Sequence, residues 1–151
     1  MTKAYDKLAS MVPRLQAILT AGGYLTNAGQ SVLLGPVPRQ PGESLPFIRL
    51  HETDAAAEAA VPMRPTSKIR VQFVAEAFAE ESTTANITAT GHKLVADLKR
   101  ALFGDALRDL NGSAIEARLE GYSITQPEEG SDIVIGQVRG SFSFHDNFNS
   151  P

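Results

Sequence analysis

Between Lys68 and Phe103 the chain changes its hydrophobic period, and that change constrains the fold more than any other feature. Ile69, Val71, Phe73, Ala75 and Ala77 alternate with Arg70, Gln72 and Glu76, the spacing of a half-buried strand. Ser82, Thr83 and Thr84 then offer N-caps. Ile87, Leu94, Val95, Leu98, Ala101 and Leu102 follow at helical spacing, which predicts a helix over 84–103 closed by Gly104. The polar sides of both elements carry no catalytic constellation. The segment reads as the centre of a small domain of mixed helix and sheet.

The flanking sequence fills in the other elements. Tyr5, Leu8, Val12, Leu15, Ile18 and Leu19 share one face of a helix over 3–21. Pro13 either kinks that helix or sits in the first turn of a new one capped by Ser10, and Gly22-Gly23 ends it. Ser31–Leu34 is a short strand. Gly35–Pro46, with prolines at 36, 38, 41 and 46, is a loop. Phe47–His51 is a second strand, with Phe47, Arg49 and His51 on one side and Ile48 and Leu50 on the other. The connection from Glu52 to Thr66 contains a run, Asp54–Ala60, that could form a short helix before Pro62 and Pro65. A helical turn is also expected around Ala106–Leu110.

The last third reads as a long hairpin, Ser113–Thr125 and Asp132–Asp146, joined by the turn-rich Gln126–Ser131. The apolar alternation changes phase at Gly121 in the first strand and at Gly136 in the second. A β-bulge in each strand accounts for this, because one inserted residue flips the side-chain register. The alternative is a sheet buried on both faces at one end. The expected fold class is therefore α+β. A mixed, mostly antiparallel sheet of about five strands carries two main helices on one face, with long loops and a C-terminal β-hairpin. The whole chain, 1–151, is read as a single domain.

Composition narrows the function classes. Net charge is −3 over 151 residues, too mild for nucleic acid as the main partner. The charge is uneven: residues 1–75 carry 8 Lys/Arg against 5 Asp/Glu, and residues 76–151 carry 6 against 12. With no cysteine, disulfides, thiolate catalysis and cysteine metal sites are excluded. No run of 18 apolar residues exists, so no membrane span is expected, and the N-terminus lacks a signal-peptide apolar core.

Motifs for chemistry are missing. His51, His92 and His145 share no metal-ligand spacing. Neither a nucleophile elbow nor a phosphate-binding glycine loop occurs. The pairs Glu80-Glu81 and Glu128-Glu129 fall at loop positions, where full solvation is expected in place of catalytic burial. Lys68 with Arg70, and Lys99 with Arg100, read as solvent-face charges. The expectation is a non-enzyme with no cofactor and no metal. Two proline-bearing loops and a long hairpin projecting from a small core suit contact with other protein chains. The candidate subunit-interface residues are Arg39, Arg49 and Arg64 in or beside the loops, and Glu128 and Glu129 in the hairpin turn.

The order helix, strand, strand, strand, helix, strand, strand resembles the tail terminator proteins of long-tailed (siphovirus-like) phages. Four segments carry the resemblance: the N-terminal helix ending near Leu19, the loop-rich middle, the Lys68–Ala79 strand followed by the Thr84–Phe103 helix, and the C-terminal strand pair through Ile115–Thr125 and Ile133–Phe144, closing on Phe144-His145-Asp146. The resemblance implies a homo-hexameric ring that caps the tail tube, ends its polymerisation and presents a surface to the head. The implied partners are sister copies, the tail tube protein and a head–tail connector or neck protein. DNA would pass through the lumen without sequence readout, and no membrane is involved. The implied location is the virion tail, after assembly in the host cytoplasm. A head-to-tail ring needs two different complementary patches per subunit, which a basic and an acidic half could supply. The rival readings are a head–tail joining protein, a tail tube subunit, or a small ligand-binding domain.

Overall fold

The computed structural model describes residues 2–36, 44–58, 66–81, 84–104, 116–126 and 131–147. Five strands form one mixed sheet in the order β1-β2-β3-β5-β4. They are β1 (Val32–Leu34), β2 (Phe47–Ala57), β3 (Thr66–Glu80), β4 (Glu116–Thr125) and β5 (Ile133–Asn147). Only the β1–β2 pairing is parallel; the other three are antiparallel. Helices α1 (Lys3–Ala9), α2 (Val12–Gln16) and α3 (Thr84–Phe103) complete the fold. The α+β class, the mixed five-stranded sheet and the C-terminal hairpin all match the sequence reading.

The two central strands, β3 and β5, pair without interruption from Thr66↔Asn147 to Glu80↔Ile133. The two flanking strands each slip once, β2 at Thr53 and β4 at Glu120. The β4 slip is the bulge expected at Gly121. It moves the set on the helix side of the sheet from Ala117 and Leu119 to Tyr122 and Ile124.

No bulge occurs at Gly136, which corrects the expectation for the second hairpin strand. Val134, Gly136, Val138, Gly140, Phe142 and Phe144 share one face in unbroken alternation. Gly136 belongs to the core face because α3 lies directly on it. A methyl group there would stand 2.8 Å from Leu94 Cβ, too close for any real contact. Gly91 on the helix repeats the device, since its absent Cβ would meet Ile124 Cγ2 at 2.3 Å. The two glycines let helix and sheet approach closely, and Ile133 and Ile135 face the other side.

Two further readings change. The N-terminal helix is broken, as the capped-restart alternative held, but Ser10 ends α1 and does not start α2. Its hydroxyl donates to the Lys7 carbonyl at 2.6 Å, and Met11 takes the cap position with Pro13 in the first turn of α2. Gly23, at φ 86°, closes the short 3-10 turn after α2. Residues 54–57 are strand, not helix. Ala55, Ala56 and Ala57 pair with Val71, Arg70 and Ile69. Cross-strand pairing to a long neighbour overrides the weak helix propensity of an alanine run. The expected turn at Ala106–Leu110 and the N-caps Ser82 and Thr83 lie outside the described residues.

All three helices cover the same sheet face. Leu8, Met11, Leu15 and Ile18 meet Leu94, Val95, Leu98 and Leu102 of α3 and Ile48, Leu50, Phe73, Val138 and Phe142 of the sheet in one core. The segment after α2 is fastened to α3 by polar groups. Asp97, only 2% exposed, accepts hydrogen bonds from the Leu25 and Thr26 amides and the Thr26 hydroxyl at 3.0, 2.8 and 2.7 Å. Arg100 donates to the Gly23 carbonyl at 2.8 Å and lies over the Tyr24 ring. A buried carboxylate is tolerated here because three donors replace its water.

Candidate functional site

The sheet face away from the helices holds the remaining organised polar chemistry. The alternation that sends Ile48, Ala75, Ala77 and Val138 into the core sends Phe47, Arg49, Glu76, Phe78, Ile135 and Gln137 to this second face. Phe47, Val74 and Phe78 are buried there, yet stand apart from the main core. Among the described residues, no helix covers them.

Two adjacent rows organise one end of this face. In the first, Phe47 stacks on Phe78 with ring centroids 4.5 Å apart and planes inclined by 9°. In the next, the register aligns Arg49, Glu76, Gln137 and Ser123 across four strands. Arg49 Nη2 donates to Glu76 Oε2 at 2.6 Å, and Gln137 Nε2 donates to Glu76 Oε1 at 3.3 Å. Ser123 Oγ donates to Gln137 Oε1 at 3.0 Å. The Arg49 guanidinium also lies 5.2 Å from the centroid of the Phe78 ring. The ladder ties four strands together with side chains alone.

The other end of the face combines arginine and lysine with the Glu58 carboxylate. Glu58 accepts from Arg70 Nε at 2.7 Å and from the Ser143 hydroxyl at 3.0 Å, and Lys68 Nζ lies 3.3 Å away. Hydrogen bonds from the Arg70 guanidinium are the main reason its carboxyl is lowered to a pKa of about 2. Beside this cluster runs a groove of about 450 Å³ lined by Ala56, Ala57, Glu58, Arg70 and Arg118. Arg118 and Arg139 stand exposed on the same face of β4 and β5. Neither has an ion-pair partner among the described residues. Arg139 lies across Gly121, where an added methyl would stand 2.7 Å from its Nη2. The β4 bulge and its glycine therefore seat this arginine flat at the sheet margin.

Of the interface candidates read from the sequence, Arg49 alone falls among the described residues. It is held by Glu76 within its own chain. Arg39, Arg64, Glu128 and Glu129 lie outside the described residues. The Glu58–Arg70 cluster and the Arg118–Arg139 pair were missed. The first depends on β2 continuing past its bulge, where no alternation announces a strand. The second depends on pairing between β4 and β5 that charge spacing alone does not reveal.

The histidines are dispersed. His51 faces the ladder side with its Nδ1 buried and unbonded among the described residues, His92 meets the edge of Tyr122 from α3, and His145 sits opposite Lys68. Among the described residues, no three His, Asp or Glu side chains are placed to hold a metal ion, and no helix is long and apolar enough to cross a membrane. A second cavity, about 260 Å³, opens near Thr26, Pro46 and Glu80.

The fold and face define a helix-backed, open-sheet α+β domain whose organised surface is a layer of aromatic and charged side chains. No family model and no curated protein matches the chain.

Proposed function

We propose that the chain is a structural virion protein, a tail terminator of long-tailed phages. Copies close into a ring on the finished tail tube, stop further addition of tube protein and offer the head–neck components a docking surface. The protein works through contacts with sister copies, the tube protein and a connector or neck protein, with no catalysis and no cofactor. DNA passes through the ring without sequence-specific contact, and the site of action is the virion tail.

The observation that carries this reading is the two-sided sheet. One face is covered by three helices, while the other bears a buried aromatic pair, a four-residue polar ladder and two exposed arginines, Arg118 and Arg139, with no ion-pair partner among the described residues. Ordered side chains on a face away from the helices suit a protein partner better than bulk solvent. The sheet also ends in two unlike edges, the three-residue parallel β1 and the ten-residue β4. Two unlike edges can meet head to tail, and such heterologous contacts close into a ring where the rotation between copies closes.

Solution mass measurement and electron microscopy of the purified protein at high concentration test the proposal. Closed rings of one size that block tube growth when added to polymerising tube protein are expected. Long filaments would instead identify a tube subunit, and a persistent monomer would remove the ring altogether.

A further inference from the structure

We infer that the groove lined by Arg70 and Arg118, with Arg139 on the same sheet face, is the socket for the acidic β4–β5 end of a second copy of this chain. The inference rests on the self-assembly reading above and assigns its contact surface.

Three features point to an anionic peptide. Arg118 and Arg139 are exposed on one face and have no ion-pair partner among the described residues. The groove beside them has about 450 Å³ of space. Ala56 and Ala57 line it, and Ser143 stands next to Arg70 across the strand pair, so small residues flank the guanidinium groups among the described residues. Glu58, the carboxylate that lines the groove, is already engaged by Arg70 and Ser143. Guanidinium groups prefer carboxylates that can be gripped by two parallel N–H donors.

The acids that fit lie at the far end of the same strands. Glu80 and Asp132 are exposed where β3 ends and β5 begins, and the Glu81 amide donates to the Asp132 carbonyl at 2.6 Å. The sequence between β4 and β5 adds Glu128 and Glu129, which lie outside the described residues. Arg70 and Glu80 are ten residues apart on one straight strand. At about 3.3 Å per residue that is roughly 33 Å, beyond the reach of any side chain. Glu80 therefore cannot reach the groove of its own chain. A neighbour's can, and the contact then uses two different patches per copy, the condition for a closed heterologous ring.

Charge exchange in the full-length protein tests this. One variant carries Arg118→Glu with Arg139→Glu, and the other carries Glu128→Arg with Glu129→Arg. All four positions are charged and polar, so circular dichroism and thermal melting should match the wild type. Each variant alone is expected to need at least tenfold more protein to assemble. Mixed in equal amounts, the two should assemble as the wild type does, because every contact again joins opposite charges. Wild-type assembly of either variant alone would overturn the inference while leaving the ring reading intact. So would a mixture of folded variants that fails to recover. A wild-type chain that stays monomeric overturns both. Loss of duplex DNA binding by the arginine variant, with assembly unchanged, would reassign the groove to nucleic acid.

Discussion

Asp97 Oδ2 accepts both the amide and the hydroxyl of Thr26, at 2.8 and 2.7 Å, across 71 residues of sequence. The other oxygen takes the Leu25 amide at 3.0 Å. One side chain on α3 thereby fixes the path of the segment that leads into β1. Asp97→Ala strands those donors in a partly buried site and should destabilise the fold by about 1.5–3 kcal/mol. Urea denaturation reads this directly, and a loss below about 0.5 kcal/mol, the range of ordinary surface changes, would show that the clasp is dispensable.

Leu98 is fully buried on the inner face of α3. Leu98→Ala should cost about 2–5 kcal/mol, the transfer loss plus the cavity left behind. The same denaturation measurement checks it, and a near-neutral result would mean that α3 is rotated from the position described.

Gly136 admits α3 to the sheet. Gly136→Val places bulk against Leu94 and Val95 and should destabilise by about 1–3 kcal/mol through overpacking. A stability equal to wild type would show that α3 can lift off the sheet without penalty.

Glu58 gives the fold an acid-sensitive contact. Its carboxyl pKa falls from an ordinary 4.5 to about 2 in the folded chain. A depressed folded-state pKa stabilises above the unfolded value and loses that stabilisation as pH drops toward the folded one. Unfolding stability should therefore decline between pH 4.5 and about 2. Glu58→Gln should flatten that decline, and added salt should shrink the difference, since the site is solvent-exposed. Identical pH profiles for the two proteins between those limits would remove Glu58 from the account.

Phe47 and Phe78 form the stacked pair on the helix-free face. A double-mutant cycle with alanine at both positions should give a coupling of about 0.5–1.5 kcal/mol. Additive losses would mean that each ring is held by its neighbours and not by the other.

The sequence displayed the fold where periodicity was strong and local. The β3–α3 handover, the β4–β5 hairpin and the bulge beside Gly121 all follow from side-chain spacing. Gly136 misled because a glycine gives no hydropathy signal, and its place in the core is set by a helix more than 30 residues earlier. The Ala55–Ala57 run misled because its strand character comes from β3, not from its own composition. The candidate site was mostly hidden. Arg49 stood out by its position near a loop, but its partner Glu76 and the ladder beyond it become visible only when four strands are placed in register. Arg118 and Arg139 lie 21 residues apart, and nothing in their spacing marks them as neighbours until the hairpin closes.

The interruptions in β2 and β4 have a further meaning for how such a chain can vary. The inner strands run straight for fifteen residues each, while each outer strand is cut into two segments with opposite facing. Beyond each cut, the residues that point outward belong to the other parity. Substitutions at the aromatic end and at the arginine end therefore fall on separate segments of β2 and β4, while the unbroken middle pair spans both ends.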